Sequence, residues 1–366
     1  MMRNLIHSSV IVIATLFIYG CGGSSDNKKT PTPPTPPPPP ATVINTELSN
    51  AVTVNHLYLD GEAQLAATTQ GLFWRANADA QWQDRSPNAN EVIALAIISQ
   101  GHYIAAMETV GTSPYAEPSP LYMTQDSGEN WQLINHNFGG SEYTAINNIV
   151  YDQVNNQLYA VGNTSFAVAS SSAENWTLLA GTWDGLASGL ALILPHPSQQ
   201  LIWFGGQGPI ENGYLSRYSL VDASVTTWSD LLPNPSVFKG GLIHPTDNKT
   251  VLVGGEGGIA ISRDNGASWQ QPLGDVDHQF YWDIVIDDAG KLYTASYNKG
   301  DAVQPLTVLC SSDNGDTWVS NDFSNEVSKG GVTSLLMVQT ETENLLYLGL
   351  WDNGIKSVST TDINCG

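Results

Sequence analysis

The chain has 366 residues, of which 41% are hydrophobic and only 13% charged, with 34 glycines, 11 tryptophans and a formal net charge of −22 at pH 7. That mixture suits many short strands and turns rather than helices, and no window holds a sustained helical period. So negative a chain excludes nucleic acid and other polyanions as partners and favours cations, neutral glycans or basic proteins.

Arg3 is the only charged residue ahead of an apolar run from Val10 to Ile18. The run is too short to span a bilayer and reads as the core of a signal peptide over residues 1–20. Ile18-Tyr19-Gly20-Cys21 resembles a bacterial lipobox. The resemblance implies that Cys21 is lipid-modified and begins the mature protein. Gly22, where Asp would mark inner-membrane retention, implies an outer-membrane anchor at the cell envelope. Residues 21–41 continue as a Ser-, Thr- and Pro-rich tether that includes Pro36 to Pro40 and buries no core. Taking Arg3, Lys28 and Lys29 from the 13 basic residues and Asp26 from the 35 acidic ones leaves 10 against 34 for residues 42–366.

Within 42–366 an eight-residue grammar recurs: Thr124 to Trp131, Ser262 to Trp269 and Ser311 to Trp318 all read S/T-x-D-x-G-x-x-W. Such a segment is a tight turn in which the Asp side chain is expected to bond amides two residues on. The glycine takes a positive φ and the Trp seals the turn against the sheet. Asp126, Gly128 and Trp131, Asp264, Gly266 and Trp269, and Asp313, Gly315 and Trp318 are therefore structural. Degenerate copies end at Trp82, Trp176 and Trp228, so successive tryptophans lie 49, 45, 52, 41 and 49 residues apart. That spacing is one four-stranded antiparallel unit.

The repeats resemble the Asp-box, or BNR, repeat, which implies an all-β β-propeller. Seven second strands, from Gln64–Thr69 to Leu345–Leu348, predict seven blades. The seventh unit stops after Ser359, while Thr42 to Leu48 has strand character and no blade of its own. The N-terminal strand is therefore expected to close the last blade, leaving no free edge.

With Cys21 assigned to lipid, Cys310 and Cys365 remain, and two thiols in an exported protein more often pair than stay free. If bridged, they pin the C-terminus to the preceding blade.

In this blade order the first-to-second and third-to-fourth turns share one face. His196-Pro197 and His244-Pro245 belong there as turn residues. The opposite face carries the second-to-third loops, long at Thr109 to Pro120, Gly208 to Gly213 and Lys299 to Pro305, which would wall a ligand pocket over the axis. Aromatic residues fall on the same face: Trp183, Phe280-Tyr281-Trp282, Tyr297 and Trp351, of which Trp183, Trp282, Tyr297 and Trp351 are the candidate sugar-stacking residues. Glu256 and Asp352 hold equivalent loop positions and, with Asp184, are the carboxylates available as an acid and base for glycoside hydrolysis. No cofactor is expected and no His/Cys cluster has zinc spacing. An oxygen-ligand Ca2+ site is the metal chemistry that the acidic loops would suit.

The repeat is shared by sialidases, xyloglucanases, sortilin-type receptors and photosystem assembly factors, and fold alone does not choose among them. Arg75, Arg85, Arg217 and Arg263 form no sialidase-like triad. Where xyloglucanases carry an acid entering the first repeat's third strand, Thr69-Gln70-Gly71-Leu72 has none. The basic patch of assembly factors has no counterpart in so acidic a body. The expected function is non-catalytic: an envelope propeller, held to the membrane by its lipid, that binds a neutral glycan or a protein partner. The alternative is an envelope glycoside hydrolase acting on an extracellular polysaccharide.

Overall fold

Runs such as Ala63–Thr68, His102–Met107 and Gln157–Gly162 are apolar on both sides and end at Gly or Asn turns, and they form strands buried on both faces. In the computed structural model the described residues are 44–48, 52–109, 118–139, 145–183, 189–208, 212–233, 235–274, 276–298, 303–323, 325, 327–340 and 343–366. The chain divides into two units, Met1–Ala41 and Thr42–Gly366. The first, where the expected signal segment, Cys21 and the expected tether fall, lies outside the described residues. So do Asp184 and most of the three long loops named above. Among the described residues one helical turn occurs, the 3-10 turn Thr360–Asp362.

The strands of the second unit form an all-β propeller of antiparallel sheets. Its innermost strands are Val54–Asp60, Val92–Ser99, Ile146–Asp152, Gly189–Pro195, Phe238–Ile243, Val276–Ile286 and Val332–Gln339. Each packs on the next, and the last packs on the first, so the ring is closed.

The sheets number six, not the seven blades expected: five have four strands and one has six. The fifth and sixth repeat units share the larger sheet. The reason is local. Elsewhere a loop separates second and third strands, but Val251–Ser262 is one uninterrupted run. Its ends meet, because Asn265 N donates to Lys249 O over 3.0 Å. The run therefore folds back at Gly257 and Gly258, whose φ values of 90° and 131° suit glycine. With no loop to hold them apart, Glu256 and Gly257 pair with Phe280 and Val276 of the next unit. The fourth strand of the fifth unit shrinks to one bridge, Ile261 to Gln270.

The strand Asn45–Leu48 pairs antiparallel with Ile355–Ser359, with Asn45 opposite Ser357 and Leu48 opposite Ile355. Glu47 locks it, accepting from Ser357 Oγ at 2.6 Å and from the buried Arg75 guanidinium at 2.9 Å. The last sheet thus has its fourth strand. Cys310 and Cys365 are bridged, joining the third strand of one unit to the chain end.

The three boxes have one geometry, which differs from the expected one in detail. Asp126, Asp264 and Asp313 accept from the amide four residues on, at 2.9, 2.8 and 2.9 Å, rather than two. The amide of each box glycine goes instead to the preceding Ser or Thr hydroxyl, at 3.0, 2.7 and 2.9 Å. Those hydroxyls in turn donate to the Asp carboxylate. Hydrogen bonds led by the side chains of Asn130 and Thr317 hold the carboxyls of Asp126 and Asp313 down at about 2. The tryptophans and glycines reach the preceding blade. Trp131 Nε1 donates to Arg85 O at 2.8 Å, and Gly266 faces Trp228 and Trp203.

The core lies between sheets. Phe166 stacks on Phe204 at 4.4 Å, and Trp203, Trp228 and Trp269 form a three-ring cluster.

Candidate functional site

All seven innermost strands carry a register shift, near the start at Val54/His56, Val92/Ala94, Ile146/Asn148, Leu190/Leu192, Phe238/Gly240 and Val332/Ser334, and at mid-strand at Tyr281/Ile284 in the longer Val276–Ile286. A bulge leaves residues without a partner in the ladder and re-aims their side chains. The residues so displaced are Asn55, Ile93, Asn147, Ala191, Lys239, Trp282 with Asp283, and Thr333.

The starts of these strands share a face with the ends of the second strands. Glu108 N donates to Glu91 O, Glu256 N to Val237 O and Trp351 N to Gly331 O, at 3.0, 3.1 and 2.8 Å. The boxes lie on the other face, where Ser127 N donates to Gly101 O.

On the bulge face an aromatic stair runs inward. Trp351, 42% exposed, lies 5.7 Å from Tyr297 between ring centroids, and Tyr297 lies 4.5 Å from Trp282. Phe280 packs edge-on against both inner rings. The Lys239 ammonium sits 4.0 Å above the Trp282 ring, a cation on an aromatic face.

Around Lys239 lie three more titratable groups. His56, Lys239 and Asp283 are largely enclosed by protein yet keep some solvent contact. Burial brings the Lys239 ammonium down to about 8, with Asp283 and Glu91 opposing the fall. It pushes the Asp283 carboxyl up to about 6 against the hydrogen bonds from Leu335 N at 2.8 Å and Ile284 N at 2.9 Å. It raises Glu91, which accepts from Asn55 Nδ2 at 2.8 Å. His56 is held down at about 3, by burial first and by Lys239 second, so its imidazole is neutral.

Several of these groups also tie neighbouring blades. Asn55 Nδ2 donates to Val92 O at 2.9 Å and Asn148 Nδ2 to Ala191 O at 2.8 Å. Asp283 spans to Ser334 and Leu335.

Of the residues singled out in the sequence, the structure brings together Trp282, Tyr297 and Trp351. Trp183 is not with them. It is partly buried and packs edge-on at 5.0 Å against Phe138, which arrives from the neighbouring sheet. Glu256 is buried in the fused sheet, 3.9 Å from His278 Nδ1, and Asp352 is held by Lys329 Nζ at 2.7 Å. His196 is a turn residue: its Nδ1 accepts from Ser198 N and Gln199 N, and its Nε2 pairs with Asn248 O at 2.7 Å. His244 Nδ1 likewise accepts from Asp247 N at 3.2 Å.

Among the described residues no group of three His, Cys, Asp or Glu side chains is placed to hold a metal ion. A cleft of about 630 Å³ opens beside Arg85 and Glu129 on the box side, but those two side chains pair with each other at 2.9 Å and the cleft lies away from the stair.

Sequence reasoning missed Lys239, Glu91, Asp283 and His56. The available signal was a charge interrupting an apolar first strand, as in Val237-Phe238-Lys239-Gly240-Gly241.

No protein-family model matches the chain, and no curated protein matches it in sequence. Solved structures are similar in fold. YCF48 bound to D1 peptide is 15% identical with a TM-score of 0.62, over 89% of this chain and 97% of that one. An ancestral GH74 enzyme is 13% identical with a TM-score of 0.63, over 87% of this chain and 49% of that one. The extracellular domain of a putative hybrid two-component system from B. thetaiotaomicron is 14% identical with a TM-score of 0.62, over 87% and 42%. The chain spans about half or less of the last two. At such identities the likeness shows the β-propeller fold alone.

Proposed function

We propose that the protein is a lipid-anchored propeller of the bacterial cell envelope that binds an external ligand without turning it over, and that the ligand is a neutral glycan held on the bulge face. The observation that carries this reading is the stair from exposed Trp351 through Tyr297 to Trp282, ending at the Lys239 ammonium. Sugar rings present C–H surfaces to aromatic faces and hydroxyls to charged groups, and both kinds of contact lie along this path. The anchor rests on the lipobox resemblance at Cys21, and the extracellular neighbours agree with an envelope setting.

A glycoside hydrolase is the second reading. A neighbour that is a GH74 enzyme and the raised carboxyl of Asp283 favour it. A peptide ligand has a precedent in the neighbour bound to D1 peptide, but a run of tilted rings opening at exposed Trp351 suits a sugar better.

The test is a neutral-glycan array probed with the full chain in detergent, followed by reducing-end release on every hit. Saturable binding without release, weakened about tenfold or more in Trp351→Ala, is the expected result. Release of reducing ends that disappears in Glu256→Gln, Asp352→Asn or Asp283→Asn would establish the hydrolase instead. Binding to no glycan would reject the glycan reading.

A further inference from the structure

The exposed ring of the stair stands on a turn that is held from outside itself. Trp351 N donates to Gly331 O at 2.8 Å and Gly354 N to Val52 O at 3.1 Å. Asp352 N donates to Thr53 Oγ1 at 3.2 Å, and Asn353 Nδ2 to Lys329 O at 3.1 Å. The Asp352 carboxylate accepts from Lys329 Nζ at 2.7 Å, and Asp352 itself is held at a φ of 52°. Every residue from Trp351 to Gly354 is thus bonded to one of two other segments, 52–53 or 329–331.

The second of those segments leads back to the ring behind Trp351. Lys329 forms a parallel bridge with Gln304, in which Gln304 N donates to Ser328 O and Gly330 N to Gln304 O, at 3.0 and 2.9 Å. The Gln304 side chain is buried and closes on Asn298, accepting from its N at 2.7 Å and donating to its O at 3.3 Å. Asn298 follows Tyr297, whose ring lies 5.7 Å from that of Trp351. A Cβ on Gly331 would fall 2.6 Å from Gln304 Cδ, so the two segments meet without slack. One short chain of bonds, from Asn298 through Gln304 and Lys329 to Asp352, links the backbones that carry the two rings.

A ring that stacks on a ligand must give up its freedom on binding unless it has already lost it, and that ordering costs affinity. We infer that Lys329 and Gln304 are positioning residues of the ligand site: they act through Trp351, holding its ring in the orientation in which it stacks. This rests on the glycan reading for the ligand, whereas the placement of the ring belongs to the free protein. The side chains of Lys329 and Asp352 are 40% and 46% exposed, so their ion pair adds little to stability. A purely structural tie would show in the unfolding midpoint; a positioning one shows in affinity.

The test uses the full chain in detergent, labelled with fluorotryptophan, with the Trp351 resonance identified by its loss in Trp351→Phe. The fluorine shift of that resonance is expected to move in Lys329→Met and in Gln304→Leu, and to return in Lys329→Arg. Affinity is measured for cello-, xylo- and mannohexaose. Lys329→Met is expected to weaken the tightest of them roughly two- to tenfold with an unchanged urea midpoint, and Lys329→Arg to recover the loss. The loss should vanish when Lys329→Met is made in the Trp351→Ala background, since both act through one ring.

An unmoved Trp351 resonance in Lys329→Met or in Gln304→Leu overturns the inference whatever the sugars do. Wild-type affinity in Lys329→Met alongside a loss in Trp351→Ala also overturns it and leaves the glycan reading standing. So does a Lys329→Met loss that persists without Trp351. Moved resonances with binding to none of the three hexaoses count against the glycan reading and uphold the placement of the ring.

Discussion

Replacing Gly266 by alanine tests whether a box is a joint between blades or merely a surface turn. Gly266 has φ +88°, and a Cβ there would lie 2.7 Å from Trp228 Cζ2 and 2.9 Å from Trp203 Cη2. The left-handed backbone costs an alanine about 1–2 kcal/mol, and forcing a methyl against two packed indoles adds about 1–3 kcal/mol. Gly274→Ala isolates the first contribution, since Gly274 has φ +67° and nothing within 4 Å of its Cβ position. Urea denaturation followed by Trp fluorescence should show Gly274→Ala losing about 1–2 kcal/mol and Gly266→Ala about 2–5 kcal/mol, with the slope unchanged. Equal losses in the two variants would refute the argument, because only the indole contact separates them. A changed slope would instead show that the blades no longer unfold together.

Three more outcomes follow from the same structure. The Cys310–Cys365 bridge spans 55 residues, so the chain-entropy estimate gives a loss of about 4 kcal/mol for the double Cys→Ala variant; an unchanged urea midpoint would refute it. Lys239 has a folded value of about 8, below the free value of about 10.4, so the folded state holds fewer protons between them and stability should rise with pH through that window. Asp283 at about 6 lies above the free value of about 3.9, so its contribution should fall as pH rises through about 4 to 6; Lys239→Met and Asp283→Asn should each flatten their own segment of the midpoint-against-pH curve. Deleting residues 45–48 exposes the edge of Ile355–Ser359 and strands Arg75 without Glu47; light scattering should show association that the full chain lacks, and a monodisperse monomer would refute that reading.

The propeller was legible because its repeat is local. Ser or Thr, Asp and Gly satisfy one another within eight residues, so the box survives reading without a partner strand. The merging of the fifth and sixth units was not legible. Gly257-Gly258 announces a turn, but only the approach of Phe280 and Val276 shows that the turn continues the ladder. Trp282, Tyr297 and Trp351 could be placed on one face from strand order. Trp183 could not, since its packing depends on Phe138 from another sheet. Lys239 and Asp283 gave only the signal of a charge in an apolar first strand, because a bulge decides whether such a side chain joins the ladder and the sequence does not place the bulge.

The pairing of Asn45–Leu48 with Ile355–Ser359 sets the order in which the molecule can be completed. The two segments are separated by some three hundred residues, so a chain emerging N-terminus first holds an unsealed circle until Ile355–Ser359 arrives. A cut ahead of residue 355 removes both the partner of the opening strand and the half-cystine at 365.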